Sequence, residues 1–260
     1  SLLYPRGRVL GGCSSINGMI YMRGQEGDYA SWVAATGDES WSWKNALKRY
    51  KSFEDYHGAP NEWHSKGGEW TVSKQRLRWP IMDVFKAAAV EAGIPASDDF
   101  NQGDNFGVGY FDVSQRKGWR LNTSKAFLRD AIKRPNLTVL TEAVVNKLLI
   151  DPATKDCYGV QYIKDGRTSE VRCDSSNRGE VILSAGAIGS VQILERSGIG
   201  AAAHLQQLGV PVMADLPGVG ENLQDHLQLR MIYKVNGIKT LNTKANSLLG
   251  KLLIGMEYVF

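Results

Sequence analysis

Arg6-Gly7-Arg8-Val9-Leu10-Gly11-Gly12-Cys13-Ser14-Ser15-Ile16-Asn17-Gly18-Met19-Ile20-Tyr21-Met22-Arg23-Gly24 decides how the rest of this chain is read. The stretch is too irregular for a helix or a strand. Paired glycines let a backbone run against a flat ligand where any Cβ would collide. Ser14, Ser15 and Asn17 add short polar side chains, and the loop amides add donors. That combination suits a planar, polar, anionic cofactor.

Two further stretches carry the same character. Ser184-Ala185-Gly186-Ala187-Ile188-Gly189-Ser190 runs from an apolar segment into a helical pattern ending at Ser197-Gly198-Ile199-Gly200. Leu216-Pro217-Gly218-Val219-Gly220-Glu221-Asn222-Leu223-Gln224-Asp225-His226 follows it. The loop at 6–24 closely resembles the flavin-site signature of the glucose–methanol–choline (GMC) oxidoreductases, FAD enzymes that oxidise alcohols. The stretch from Ser184 resembles the second signature of that family, and Leu216–His226 is similar to the segment after it. Three motifs in the family's order span most of the 260 residues.

The resemblance implies an α/β protein. A Rossmann-like FAD-binding domain would be interleaved with a substrate domain of antiparallel sheet and helices, the chain holding part of each. Residues 1–30 then form the flavin-contacting loop and 31–135 a helical, loop-rich region shared with the substrate domain. Residues 136–222 supply strands and a crossover helix of the FAD domain, and 223–260 begin the substrate-domain sheet and helix. The family's opening strand–Gly-x-Gly-x-x-Gly–helix unit and its late catalytic histidine have no counterpart. The chain therefore reads as an internal fragment, with the catalytic histidine expected beyond Phe260.

On the same grounds the cofactor-binding residues are Gly11, Gly12, Cys13, Ser14, Asn17, Gly18, Met19 and Ile20, with the main chain of Val145 at the adenine. Ser184, Ala185 and Gly186 join them where free N–H groups and the positive end of a helix favour a phosphate or ribityl oxygen. Backbone amides of the first loop would stabilise negative charge on a reduced flavin. Ile16 stands where covalently flavinylated members carry histidine, so FAD is expected to be non-covalent. Cys13 replaces the more usual Ser or Thr.

The implied reaction oxidises a primary alcohol to an aldehyde, with a quinone-type acceptor or oxygen taking the electrons. A hydroxynitrile lyase on the same scaffold and a non-catalytic truncated domain are the alternatives. Lys234 occupies the place of a glutamate that choline-oxidising members hold near the trimethylammonium group. Like charges repel there, so neutral alcohols are favoured over choline. His226 beside Asp225 reads as an oriented structural pair, and His57, His64 and His204 as surface residues.

Composition excludes several other classes. The net charge of +4 is dispersed, and Lys44, Lys48, Arg49 and Lys51 read as one solvated helix face rather than a nucleic-acid site. Cys13, Cys157 and Cys173 have neither a pairing pattern nor metal spacing, which argues for a reducing compartment, and a cytoplasmic location is expected. No apolar run reaches the ~18–20 residues of a membrane span.

Periodicity and caps predict helices over 42–56, 80–93 and 122–134. Strands are predicted over 137–140, 143–150, 158–164 and 168–172, the last two joined by Asp165-Gly166, a strong hairpin signal. A buried strand over 180–184 should feed a crossover helix over 187–196, followed by helices over 201–208 and 247–260.

Overall fold

A computed structural model describes residues 3–174 and 179–259. The chain divides into two compact units, residues 1–137 with 233–260, and residues 138–232.

In the first unit, the glycine-rich stretch coils into a short 3-10 turn at Gly12–Ser15. Helix α1 (Glu26–Thr36) begins at a capping box formed by Gln25 and Asp28, and ends where Gly37 turns left-handed. Helix α2 (Trp43–Phe53) passes without a break into strand β1 (Glu54–Tyr56), so the helix predicted through residue 56 stops three residues early. The reason is tertiary. Glu54, Asp55 and Tyr56 pair in parallel with Trp70, Thr71 and Val72 of strand β2 (Trp70–Lys74), and Tyr56 and Val72 join Tyr21 in the core.

Helix α3 (Pro80–Glu91) has proline at its first position and ends before Gly93 at φ 93°. Strand β3 (Asp112–Val113) pairs antiparallel with β2. Strands β4 (Gln115–Arg116) and β5 (Trp119–Arg120) form a hairpin across Lys117 and Gly118, both at positive φ. The helix predicted over 122–134 is a π-helical turn at Ser124–Leu128 running into a short α4 (Arg129–Ala131). Asn122 caps it, its Oδ1 accepting from the Lys125 N–H at 2.8 Å.

The second unit is built on a meander of β6 (Val144–Ile150), β7 (Cys157–Lys164) and β8 (Arg167–Arg172). Asp165 and Gly166, both at positive φ, make the two-residue turn between β7 and β8. Helix α5 (Gly186–Arg196) packs on β6, where the Leu148 N–H donates to Ser197 Oγ at 2.8 Å. Strands β9 (Ile199–Gly200) and β10 (Ala214–Asp215) pair in parallel around α6 (Ala202–Gln207).

The strand predicted over 180–184 is not formed. Those residues pair with no strand among the described residues, and Ile182 is 83% exposed. A β pattern needs a hydrogen-bonded neighbour to become a strand, and apolar sequence cannot supply one. The strand predicted over 137–140 is absent for the same reason.

The chain then returns to the first unit. Helices α7 (Leu241–Ala245) and α8 (Leu248–Val259) are tied by a 2.7 Å ion pair between Lys244 and Glu257, and Arg76 donates to the Tyr258 carbonyl. Among the described residues no helix is long and apolar enough to cross a membrane.

Candidate functional site

The glycine-rich loop is exposed yet closely braced. Gly11 (φ 95°) and Gly12 (φ 52°) both take the left-handed backbone, and they differ in what surrounds them. A Cβ on Gly11 would sit 2.6 Å from Ser15 Oγ and against Asn122, so this glycine is held by packing. A Cβ on Gly12 or Gly18 would meet nothing within 4 Å, leaving open space above both.

The loop hydroxyls turn inward as braces. Ser14 Oγ donates to the Gly11 carbonyl at 2.5 Å and accepts from the Thr123 N–H at 3.0 Å. Ser15 Oγ donates to the Leu10 carbonyl and accepts from Asn122 Nδ2. Arg120 donates to the Ser14 carbonyl, and Cys13 Sγ accepts from the Gly7 N–H at 3.5 Å. Arg120, Asn122 and Thr123 thus hold the loop from more than 100 residues away. No local motif marks Asn122 and Thr123 as braces of this loop, because short motifs carry no signal of a distant partner.

Met19 sits at φ 64°, uncommon for a non-glycine residue. Its N–H donates to Asn17 Oδ1 (3.1 Å), its carbonyl accepts from the Ser114 N–H (2.7 Å) and its sulfur accepts from Gln115 Nε2 (3.6 Å). A strained backbone persists only when its surroundings over-determine it. The N–H groups of Cys13, Gly18 and Ile20 have no partner among the described residues. Unpaired donors beside two open glycines fit the polar edge of a flat ring that carries hydrogen-bond acceptors, so these residues could hold a flavin.

The predicted residues of the second unit lie around α5 and β6. Val145 is half-buried and opposite Tyr162, next to a register shift that bulges the strand at Asn146. Ser184, Ala185 and Gly186 are exposed at the N-terminal end of α5. Gly186 has φ 84°, and the Ala185 N–H donates to Ser190 Oγ. His226 and Asp225 are both exposed and joined through the His226 N–H, with no ring contact to the carboxylate recorded among the described residues.

One histidine expectation is overturned. His64 is fully buried, as is Glu54, and Arg23 is 4% exposed. His64 Nδ1 lies 3.1 Å from both oxygens of Glu54, and Nε2 lies 2.8 Å from Asp99 Oδ2. Two ring nitrogens facing carboxylates must both donate, so the ring is an imidazolium. Burial pushes its pKa down, but the bonds to Asp99 and Glu54 outweigh burial and raise it. Burial likewise pushes Asp99 up, yet His64, the Asn101 N–H and Gln102 bring it to about 2.

Arg23 completes the cluster. It donates to Glu54 at 2.6 Å and to the Trp63 carbonyl at 2.8 Å, while its own N–H donates to Asn101 Oδ1. Two cations and two anions leave no net charge, and the His64 ring stacks on Tyr56 at 3.8 Å. A buried, doubly bonded imidazolium cannot take up a further proton, so His64 is structural. Its partners lie 10 and 35 residues away, a separation that no local motif reveals. Among the described residues no cluster of ligating side chains could hold a metal ion.

A family model described as GMC oxidoreductase matches residues 1–228. An alcohol dehydrogenase [acceptor] of Pseudomonas putida is 40% identical over the whole chain, which covers 46% of that protein. An oxygen-dependent choline dehydrogenase of Photobacterium profundum is 42% identical, again over the whole chain and 44% of the relative. Among solved structures, pyridoxine 4-oxidase from Mesorbium loti superposes with a TM-score of 0.78 at 33% identity. That match covers 85% of this chain and 42% of the oxidase. A fungal aryl-alcohol oxidase gives a TM-score of 0.76 at 28% identity, over 85% of this chain and 39% of its own. The chain spans less than half the length of these relatives.

Proposed function

This chain belongs to the GMC oxidoreductase family, and from that premise we propose that it supplies the flavin-contacting part of an enzyme oxidising a primary alcohol to an aldehyde. One observation carries the reading. A strained, braced loop presents open space over Gly12 and Gly18 beside the N–H groups of Cys13, Gly18 and Ile20, which have no partner among the described residues.

FAD, when bound, supplies the two-electron acceptor for the carbinol hydrogen. The chain's own part is to bind and orient. Gly12 and Gly18 would give a floor without side chains, and the N–H groups of Cys13, Gly18 and Ile20 would donate to the ring's polar edge. Those donors would be in place for negative charge on a bound flavin, with no reorganisation to make. Ile16 is half-exposed and has no nucleophilic atom, which supports non-covalent binding. In the second unit, the resemblance implies an adenine contact for the main chain of Val145 and a phosphate or ribityl contact for the turn at 184–186.

The relatives include enzymes named for choline, for alcohols and for aryl alcohols. Lys234, exposed at the start of the segment returning to the first unit, supports neutral alcohols. The test is a holoenzyme preparation denatured by heat or acid and passed through a gel-filtration column. Yellow flavin should leave the polypeptide, and before denaturation a neutral alcohol such as benzyl alcohol should bleach the flavin band more readily than choline. Flavin that stays on the chain, or bleaching by choline alone, would overturn these assignments.

A further inference from the structure

Arg120 ends strand β5, at the end of a hairpin whose turn residues Lys117 (φ 51°) and Gly118 (φ 81°) match the twist of the strands. One guanidinium nitrogen, Nη1, donates both to the Ser14 carbonyl (3.1 Å) and to Asn17 Oδ1 (2.9 Å). The Met19 N–H donates to the same Asn17 oxygen at 3.1 Å. Both neighbours are donors only, so the oxygen of the Asn17 amide must face them. The amide nitrogen is then the outward end. Asn17 is exposed, and its Nδ2 has no partner among the described residues.

We propose that Arg120 is a positioning residue for cofactor binding. It locks the Asn17 amide so that Nδ2 is presented, already oriented, to an acceptor oxygen or nitrogen of bound FAD. The proposal rests on the flavin reading above. Arg120 itself touches no ligand in this account and acts through Asn17. Without it the Met19 N–H alone holds the amide, and the side chain regains the rotation that binding must then remove. Lysine at 120 keeps the charge and one donor direction but not the guanidinium geometry.

A double-mutant cycle on the holoenzyme and its flavin-free apoprotein tests this, read as FAD dissociation constants from quenching of flavin fluorescence. Asn17→Ala and Arg120→Met should each weaken FAD by about tenfold, and Arg120→Lys by less. The double variant should be no weaker than Asn17→Ala alone, because the arginine then has nothing left to orient. Additive losses would mean that Arg120 acts only through the Ser14 carbonyl, and would overturn the proposal. So would an Arg120→Met protein that binds FAD as tightly as wild type. Arg120→Lys serves the same reading if Arg120→Met does not fold. A wild-type apoprotein that takes up no FAD would sink the flavin reading itself, which separates the two failures.

Discussion

The glycine-rich loop and the ion cluster around His64 are joined by the short run Ile20–Arg23. Along it exposure alternates, with Ile20 48%, Tyr21 9%, Met22 41% and Arg23 4%. One end of the run is open, hydrogen-bonded through its backbone and strained at Met19. The other end is sealed, and its bonds run between charges. The pair shows how an exposed loop can be rigid. Tyr21 and Arg23 are fixed in the interior by Glu54, Asn101 and the Trp63 carbonyl, so the loop's exit is anchored while its surface stays free for a ligand.

The strongest way to break this comparison is to empty the sealed end. Glu54 accepts from Arg23, from His64 and from the Ser65 N–H at once. Glu54→Ala leaves two cations buried without an anion between them, which should cost about 3–5 kcal/mol. The chemical-denaturation midpoint of the apoprotein should drop accordingly. A loss below about 1 kcal/mol would show that water reaches the cluster and that it anchors nothing.

At the open end the stability loss should be smaller and the ligand loss larger. Gly12→Val forces a β-branched residue to φ near +52°, a strain of about 1–3 kcal/mol. It also fills the space over the loop. Flavin content after purification should fall to background, while the apoprotein remains folded by circular dichroism. A fully flavinylated variant would place the cofactor elsewhere.

The two ends were unequally legible in the sequence. Paired glycines and one asparagine in a tight run speak for themselves, because the backbone freedom and polarity they supply are local. The hairpin at Asp165-Gly166 and the start of α3 at Pro80 were legible for the same reason. His64 was not, since what buries it is Glu54, Asp99 and Tyr56 arriving from other places in the chain. The strand sought over 180–184 failed in the opposite direction. Its apolar residues are a good strand pattern with no neighbour among the described residues to complete it. Ser14 and Ser15 looked like ligand donors and are braces, because their choice of partner depends on a segment at 120–123.

The ion cluster should also write itself into the pH dependence of stability. The His64 pKa is raised on folding. Its contribution is therefore complete below its unfolded pKa of about 6.5 and is lost as pH rises through the folded value. Asp99 is lowered from 3.8 to about 2, so its contribution is present above about 3.9 and is lost as pH falls through about 2. Glu54, also lowered, has the same sign as Asp99. Unfolding midpoints should form a plateau between about pH 4.5 and 6.5 and fall on both sides. In His64→Gln the whole curve should lie lower, and the alkaline fall should be shallower. Equal alkaline slopes in both proteins would assign that limb to other groups.

The smallest effect separates a brace from a reactive group. Cys13 stands in the cofactor loop, half-buried, with its sulfur accepting only from the Gly7 N–H at 3.5 Å among the described residues. Serine offers a smaller but better acceptor in that place. Cys13→Ser should therefore keep FAD affinity within about threefold and stability within about 0.5–1 kcal/mol of wild type. Turnover should also become insensitive to any thiol reagent that slows the wild type through this residue. A loss of turnover in Cys13→Ser with FAD still bound would give the thiol a chemical role that its single weak backbone contact does not suggest. The open end of the comparison would then hold reactive chemistry as well as binding.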